Sequence, residues 1–559
     1  MTSDAKSRDA LRKAADVAVV GSGPVGLKLA LDLADAGMDV LLIESGIEGS
    51  DRQAQTLSDA AVANPHAHAP MSLALKRAFG GTSNLWGGRA VPLDRIDFVQ
   101  RAYAPQTQWP IDFAEIERYY GAACRFLDCG APDFADNTLA DLECRSNGLR
   151  FAGLERWCAN PRLRAVHGKR ALTHPNLRIA FGATVLRVNI DPQRRAVRDL
   201  LVAADGRRQS VTARSYVIAA GGLETTRLLL ASRVTNPRLF GGPDGPLGNF
   251  YMGHLFGSIA DIVFVRPDLD ARFDFLRDGS GHYVRRRFTL DAKTQQEYGV
   301  LNMAAWPEPP PLDDPRHRSG ILSLAYLALR APIVGTMLSP EAIRVRKVGA
   351  GPLRFGAHAR NILSDAVSSS LSAARFLRAR YGRRVRLPGF FVLNKAHRYA
   401  FHYHGEQLPR AKSRVRLSNR VDALGQPRLA IDLRFGDADA ASIVKTHELM
   451  AERLHASGVA RLEYKVPAEA RLSAVLAQAS DGFHQIGTAR MSANERDGIV
   501  DQNAKVHGLA NLFLAGSAIF PASGQANPTL TAVALAARLA AHLRTAQESL
   551  PVVGDAFAA

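Results

Sequence analysis

The most constraining feature of the sequence is a glycine turn that directly follows a short apolar strand near the amino terminus. Asp16–Val20 indicates the strand, and Gly21, Gly23 and Gly26 follow it. The first glycine permits a tight turn, the second lets the backbone approach a pyrophosphate, and the third lets a helix pack closely on the strand. Free N–H groups at the start of that helix would face the phosphates. The segment therefore indicates a βα unit that can bind a nucleotide.

An acid at the end of the next strand supports this interpretation. Glu44 closes the apolar strand Asp39–Ile43, eighteen positions after Gly26, where an acid accepts hydrogen bonds from ribose hydroxyls. The alternative is a tight turn with no ligand. The glycine spacing does not distinguish FAD from NAD, but Asn511–Ser517 indicates a late strand of the same sheet. A domain assembled from both ends of the chain suits a large cofactor that lies across it.

Two residues near the carboxy terminus are candidates for moving a proton. His484 lies in the segment Phe483–Met491, and Asn527 lies in Gly524–Thr531. A histidine titrates near neutral pH and can take a hydroxyl proton while a hydride leaves the carbon. An asparagine can hold the same hydroxyl by a hydrogen bond. Each has an ordinary alternative, namely a structural histidine and an Asn-Pro turn in which Pro528 begins a helix.

Length and composition fit an ordinary globular protein. With 559 residues, 47% of them apolar, the chain is long enough for about two to four core-forming units. The first residues lack an apolar signal segment, so we expect a cytoplasmic protein. The four cysteines (Cys124, Cys129, Cys144 and Cys158) form no Cys-x-x-Cys pair, so we expect reduced thiols and predict no metal site.

Almost all of the net charge of +18 falls in one part of the chain. Residues 344–420 contain eighteen lysines and arginines against two acids. The neighbouring segment Ile321–Leu338 is strongly apolar but is interrupted by Arg330 and Pro332, and Asn361–Tyr381 carries apolar residues at helical spacing.

Three interpretations of this basic segment, residues 321–420, are open. It could dock on an anionic membrane surface, which would make the protein peripheral at the inner face of the membrane. It could bind an acidic substrate, such as a phosphorylated or uronic sugar. It could also be an ordinary solvated face. Nucleic acid is not expected as a partner, because no recognition module is present and few aromatic residues lie among the cations.

Taken in order, the motifs resemble those of the glucose–methanol–choline (GMC) oxidoreductases, an FAD-dependent family. The matching segments are Gly21–Gly26 with Glu44, Gly80–Gly88, Ala219–Gly222, Gly498–Asp501, Val506–Gly508, Asn511–Ser517 and Asn527–Thr531, together with His484. The resemblance is good at both ends of the chain and poor between residues 250 and 395.

The resemblance implies an α/β fold (α+β overall). A Rossmann-like FAD-binding domain of glutathione-reductase type would be joined to a second domain built on an antiparallel sheet. The expected division is a flexible tail at 1–15, a discontinuous FAD-binding domain at 16–105, 175–250 and 480–545, and a substrate or cap domain at 106–174 and 251–479.

The resemblance also implies residue roles. His484 would be the catalytic histidine and Asn527 its partner. The residues that would bind FAD are Gly21, Gly23, Gly26, Glu44, Gly81, Thr82, Asn84, Trp86, Gly87, Val185, Ala220, Gly516, Ser517, Pro528 and Thr529. Some sugar-oxidising relatives attach FAD covalently through a histidine in the Gly80–Gly88 loop. Leu85 stands at that position here, so we expect non-covalent FAD.

The substrate side is less defined. His402, His404 and Glu406 alternate along a predicted strand and therefore share one face. We take them as substrate candidates, and the alternative is a polar outer face of a sheet.

The expected activity is oxidation of an alcohol group, on a sugar, polyol or glycoside, by proton abstraction and hydride transfer to flavin N5. The enzyme would be a dehydrogenase or an oxidase, with a quinone, a redox protein or O2 as electron acceptor. One alternative is a non-redox, FAD-retaining lyase on the same fold. Another is a membrane-docked component without catalysis.

Overall fold

The computed structural model describes residues 3–339, 341–349, 351–389 and 391–548. The strands in those ranges are β1 (Ala15–Val20), β2 (Val40–Ile43), β3 (Ala60–Val62), β4 (Arg89–Ala90), β5 (Leu149–Arg150), β6 (Leu154–Trp157), β7 (Leu177–Ala180), β8 (Thr184–Asp191), β9 (Ala196–Ala204), β10 (Arg207–Val211), β11 (Ala213–Ile218), β12 (Leu255–Phe264), β13 (Leu276–Arg277), β14 (Tyr283–Arg286), β15 (Phe288–Leu290), β16 (Met303–Glu308), β17 (Arg398–Gly405), β18 (Arg414–Val421), β19 (Pro427–Asp432), β20 (Ala460–Tyr464) and β21 (Leu512–Leu514).

The α-helices of the same ranges are α1 (Ser3–Arg12), α2 (Pro24–Asp35), α3 (Arg52–Thr56), α4 (Met71–Ala74), α5 (Phe113–Leu127), α6 (Ala140–Cys144), α7 (Leu163–Thr173), α8 (Gly222–Arg233), α9 (Ala292–Tyr298), α10 (Gly320–Arg330), α11 (Pro332–Leu338), α12 (Glu341–Val348), α13 (Phe355–Ser364), α14 (Ala366–Tyr381), α15 (Asp437–Ala456), α16 (Arg471–Gln478) and α17 (Thr529–Glu548).

A five-stranded parallel sheet forms the first core, in the order β21-β11-β1-β2-β7. Val17, Ala18 and Val19 of β1 are fully buried, as expected for a parallel strand covered on both faces. Helices α2 and α17 pack against each other beside this sheet. The sheet joins strands from the two ends of the chain, which confirms the predicted α/β fold.

A six-stranded antiparallel sheet forms the second core, in the order β20-β12-β17-β16-β15-β5. The aromatic side chains of Phe288, Tyr399 and Phe401 are buried in this core, together with Ile443 of α15. The predicted second domain on an antiparallel sheet is therefore present. Its exact bounds stay a prediction.

The expected flexible tail at residues 1–15 is wrong for most of that segment. Helix α1 covers Ser3–Arg12 there, and Leu11 is buried against the parallel-sheet core. Arg178 of β7 donates hydrogen bonds to the backbone carbonyls of Ala10, Lys13 and Ala14. The segment is polar because only one face of this short helix packs on the protein.

In its described residues, the first part of the basic segment forms five helices, α10 to α14. The predicted helix Asn361–Tyr381 is divided between α13 and α14, which meet at Asp365. Among the described residues, no single helix has the length and apolarity for a membrane span. Helices α10 and α11 have the required length and apolarity only when they are taken together, and the chain bends by 108° between them.

We predict that Leu11→Ala loosens α1, because it removes most of a buried side chain. The expected cost of about 2–3 kcal/mol corresponds to roughly 30- to 150-fold faster amide exchange, measured by hydrogen-exchange mass spectrometry of residues 3–12. Arg12→Ala, at an exposed position of the same helix, is the matched control and should change little. Random-coil exchange of this segment in the parent protein would contradict the docked helix.

Candidate active site

The three glycines of the turn after β1 have three different surroundings. Gly21 has a φ of +101°, and a β-carbon there would lie 2.7 Å from the Ala219 carbonyl oxygen. A β-carbon at Gly26 would lie 1.9 Å from the Gly21 carbonyl oxygen, so only glycine allows α2 to pack this closely on the turn. Gly23 begins α2, and a β-carbon there would meet no protein atom within 4 Å. The open side of Gly23 is the side on which a ligand can approach the backbone.

A long cavity runs from this turn to the carboxy-terminal block. Of the predicted cofactor residues, its lining includes Gly21, Gly23, Glu44, Gly81, Thr82, Val185, Ala220, Gly516, Ser517, Pro528 and Thr529, and it also includes His484. The structure thus brings the glycine turn, the acid and the candidate base into one cavity.

Glu44 lies at the end of β2 and organises the turn. Its Oε2 accepts hydrogen bonds from the Ser22 N–H (2.9 Å) and the Ser22 hydroxyl (2.6 Å), and its Oε1 accepts one from the Gly46 N–H (2.7 Å). A carboxylate offers about four acceptor positions. One position is therefore left for a ligand hydroxyl in the cavity.

The loop Gly80–Gly88 lies against the glycine turn, since a β-carbon at Gly81 would come within 2.8 Å of the Gly23 Cα. Asn84 Nδ2 donates to the carbonyls of Phe79 (3.0 Å) and Gly81 (2.9 Å). Trp86 Nε1 donates to the Pro161 carbonyl at 2.6 Å.

Four predicted cofactor residues lie outside the cavity lining, namely Gly26, Asn84, Trp86 and Gly87. Gly26 acts through helix packing, while Asn84 and Trp86 hold the loop in shape. Direct contact between these residues and a cofactor stays a prediction.

Three histidines and an asparagine meet beside the cavity. Asn527 Nδ2 lies 3.0 Å from His484 Nε2, and His484 Nδ1 lies 2.8 Å from His254 Nδ1. The His254 ring stacks on the His404 ring with centroids 4.2 Å apart, and His404 Nδ1 donates to the Gln525 carbonyl at 2.5 Å. The predicted pair of His484 and Asn527 is thus in direct contact.

The hydrogen bonds define which nitrogen of His484 is free to accept a proton. Because Asn527 Nδ2 donates to Nε2, the proton of the neutral ring sits on Nδ1, which donates to His254 Nδ1. His254 must then carry its own proton on Nε2. His484 Nε2 is left with its lone pair toward Asn527, as a base requires.

The surroundings keep all three rings neutral near pH 7. Burial lowers the pKa of His484 well below the ordinary 6.5, and His254 and Arg89 act in the same direction. Burial likewise lowers the pKa of His254 to about 3, and that of His404 well below 6.5. Neutral histidines at neutral pH can accept a proton, whereas a protonated His484 could not.

Strained backbone precedes His484. Phe483 has a φ of +64°, directly after Gly482 at +62°, and a bulky residue adopts this region only when its surroundings impose it. The Asp481 side chain accepts from the Phe483 N–H at 3.0 Å, and the Asp481 carbonyl accepts from the His484 N–H at 3.0 Å. These bonds hold the turn that directs the imidazole.

The three substrate candidates have different surroundings. His404 belongs to the histidine group, and His402 lies 5.1 Å from the Trp306 ring, over which Arg89 is placed at 4.3 Å. Glu406 is buried in a two-pronged ion pair with Arg101, with distances of 2.6 and 2.7 Å. The Glu406 carboxylate is therefore engaged by protein, and a substrate role for it rests on the sequence alone.

Sequence reasoning missed His254. It lies immediately before β12, 230 residues from His484, and no local pattern distinguishes it. One nitrogen from each of His254, His404 and His484 lies within 4.8 Å of the others, a spacing that a metal ion could use. Two of these rings are linked by a hydrogen bond, and the positive charge of Arg89 acts on all three, which opposes a cation here.

Two family models match this chain, one over its amino-terminal part and one over its carboxy-terminal part. The model described as FAD dependent oxidoreductase matches residues 16–320, more than half of the chain, and the model described as GMC oxidoreductase matches residues 409–536. The chain belongs to the FAD-dependent oxidoreductases and is of the GMC type. This confirms the family predicted from the motifs.

Individual relatives are more distant. A C-glycoside 3-oxidase of Microbacterium trichothecenolyticum is 32% identical over 135 residues, which are 24% of this chain and 24% of that protein. The match therefore spans about a quarter of the curated relative. A fungal aryl-alcohol oxidase structure aligns over 96% of this chain and 100% of its own, with 16% identity and a TM-score of 0.54. A formate oxidase aligns over 96% and 99%, with 16% identity and a TM-score of 0.53. These structures share the fold.

The residues of the cavity fit FAD. The open side of Gly23 and the start of α2 suit a pyrophosphate, and Glu44 keeps an acceptor position for a ribose hydroxyl. The cavity then continues to His484 and Thr529, where the start of α17 would favour negative charge on the ring system.

We predict that Gly23→Ala weakens FAD binding without unfolding the protein. The new β-carbon would meet no protein atom, and the backbone angles of Gly23 (φ −64°, ψ −179°) suit alanine, so the clash would be with bound pyrophosphate. Overpacking of about 1–3 kcal/mol corresponds to a roughly 5- to 150-fold higher Kd, measured by flavin titration of the apoprotein. Gly49→Ala, which also meets no atom within 4 Å, is the control. Equal FAD affinity in both variants would place the pyrophosphate elsewhere.

Proposed function

We propose that the protein oxidises an alcohol group, on a sugar, polyol or glycoside, at the His484 end of the cavity. The observation that carries this proposal is that His484 lines the same cavity as Gly21 and Glu44. A neutral base at one end of a dinucleotide cavity is the arrangement that alcohol oxidation requires, since a proton and a hydride must leave together or in succession. When bound, FAD supplies the acceptor for the hydride.

The protein residues act on the hydroxyl. The substrate oxygen enters between His484 Nε2 and Asn527 Nδ2, which are 3.0 Å apart before it arrives. His484 Nε2 takes the hydroxyl proton, and Asn527 donates a hydrogen bond to the same oxygen. This second bond strengthens as negative charge develops on the oxygen, so it favours the transition state over the bound alcohol.

His254 acts through His484 as a positioning residue. Its Nδ1 accepts a hydrogen bond from the His484 Nδ1–H, with 2.8 Å between the two nitrogens, and this bond holds His484 in the tautomer whose Nε2 is basic. An orienting partner on the second ring nitrogen is the usual companion of a histidine base.

The sugar or polyol class rests on two kinds of support. The first is that part of this chain is similar in sequence to a C-glycoside 3-oxidase. The second is that Trp306 and His402 provide an aromatic and polar surface beside the histidine group. We also expect FAD to be held without a covalent bond in the Gly80–Gly88 loop, because the side chain of Leu85 has no nucleophile.

We predict that His484→Ala retains FAD and loses flavin reduction. A panel of sugars, polyols and glycosides is added anaerobically to the purified holoenzyme, and bleaching of the flavin absorbance is followed. With the best substrate, removal of the base should slow reduction by about 10²–10⁴-fold. His66→Ala, which changes an exposed histidine, should reduce at the parent rate.

The same assay separates the alternatives. A His484→Ala variant that is reduced as fast as the parent would refute the assignment of the base. Product formation in the parent without any bleaching would indicate the non-redox lyase instead.

We predict that His254→Leu lowers the reduction rate by about 10- to 100-fold with little change in substrate Kd. Leucine cannot accept the hydrogen bond from the His484 Nδ1–H, whereas asparagine places an acceptor oxygen near the position of the lost His254 nitrogen. His254→Asn should therefore recover much of the rate. If the flavin is reduced equally slowly in both variants and both bind substrate more weakly, His254 shapes the substrate site and does not fix the tautomer of His484.

A further inference from the structure

The exposed apolar side chains of this protein are concentrated in one region, here called the helical insert (residues 320–393). Among the described residues, thirteen of the twenty-one exposed large hydrophobic side chains belong to it: Ile333, Val334, Met337, Ile343, Val345, Leu353, Phe355, Leu363, Val367, Leu371, Leu377, Tyr381 and Leu393. The insert is about an eighth of the chain. Scattered apolar residues are normal on a surface, but such a concentration marks an interaction site.

Helix α14 is oriented with its apolar stripe outward. Val367, Leu371 and Tyr381 lie on one face at helical spacing and are 77%, 55% and 46% exposed. The opposite face turns Ser369 into the protein, where it is buried and its hydroxyl donates to Asp365 at 3.3 Å. An ordinary surface helix has the reverse arrangement.

Helices α11 and α13 extend the same feature. Ile333 and Met337 of α11 are one helical turn apart and are 77% and 74% exposed, and Leu363 at the end of α13 is 78% exposed. These side chains are long enough to insert into an apolar phase.

Exposed arginines accompany the apolar side chains. Among the residues of the insert whose burial the structure describes, seven arginines are exposed: Arg354, Arg360, Arg375, Arg378, Arg383, Arg384 and Arg386. Arg378 lies on the same face of α14 as Leu371 and Tyr381. The sequence from residue 351 to residue 389 contains a single acid, Asp365.

We propose that the helical insert docks on the surface of an anionic lipid bilayer. The apolar side chains would enter the boundary between headgroups and acyl chains, and the arginines would bind the anionic headgroups. A second copy of this chain fits less well, because a twofold contact would bring the same arginines together. An anionic bilayer thus offers partners to both the arginines and the apolar side chains of this surface.

The insert also contacts the Gly80–Gly88 loop. Ile343 Cδ1 of α12 would be 3.0 Å from a β-carbon at Gly87, in the loop that borders the cavity. Lys347 Nζ forms an ion pair with Glu308 at 2.6 Å, two residues beyond Trp306. The docked surface would therefore lie near the loop that borders the cavity, which suits a reactant drawn from the lipid phase.

The test is flotation of the purified holoenzyme with vesicles, followed by flavin absorbance. We expect binding to vesicles of phosphatidylcholine with phosphatidylglycerol and little binding to phosphatidylcholine alone. The triple variant Leu363→Ser, Val367→Ser and Leu371→Ser should lower the partition coefficient at least about tenfold. The triple variant Arg383→Ser, Arg384→Ser and Arg386→Ser should weaken binding to the anionic vesicles, as should high salt.

The matched control replaces three exposed valines outside the insert, Val234, Val265 and Val421, by serine and should bind as the parent does. Flavin reduction by a soluble substrate should be equal in all variants, so the result does not depend on the assignment of His484. Absence of parent binding to anionic vesicles would overturn the proposal, as would equal binding by the apolar variant. A parent dimer that the apolar substitutions convert to monomer would assign the face to a second copy instead.

Discussion

The site depends on the parallel pairing of β1 with β11, and of β11 with β21. In this register Val20 lies beside Ile218, and Ile218 lies beside Leu514, so three strands from distant parts of the chain end at one edge of the sheet. The loops that follow are the glycine turn, residues 219–222 and residues 515–517. Gln485, next to His484, ties this segment to the sheet edge, because its side-chain oxygen accepts from the Leu223 N–H at 3.1 Å and its carbonyl accepts from the Ser517 hydroxyl at 2.7 Å. The position of the imidazole beside the cavity follows from sheet register and these two bonds.

The features that could be predicted from sequence are those whose physical requirement is local. Gly21, Gly23 and Gly26 must be glycines because of contacts within a few residues or with a ligand, and the structure assigns each a different reason. His254 could not be predicted, because its role comes from a hydrogen bond to a residue 230 positions away. The error at α1 has a related cause. Helix α1 is held by one buried leucine and by hydrogen bonds from Arg178 to backbone carbonyls. Its sequence is therefore as polar as that of a flexible tail.

Strand alternation along residues 402–406 predicted a shared face but not the partners of its side chains. His402 and His404 lie within β17, and both have ring contacts with Trp306. Glu406 lies one residue beyond the end of the strand, and the buried Arg101 takes both of its carboxylate oxygens. The pKa of the neighbouring Asp97 is raised to about 8. Burial is the largest cause, and the negative charge of Glu406 is the next. A buried guanidinium requires a carboxylate partner, and this requirement decides the environment of Glu406 more strongly than the periodicity does.

The basic segment shows what periodicity omits. The spacing of apolar residues along Asn361–Tyr381 indicates that a stripe exists, but it does not indicate which way the stripe faces. Sequence alone therefore left a membrane surface, a binding surface for an acidic substrate and a solvated face as competing interpretations. The structure turns Ser369 inward and Val367 outward, and this orientation exposes apolar area that packing inside the protein would otherwise have buried at about 25 cal/mol per Å². A fold that gives up this stabilisation on several neighbouring helices, and surrounds them with arginines, has a surface whose chemistry is complementary to an anionic bilayer.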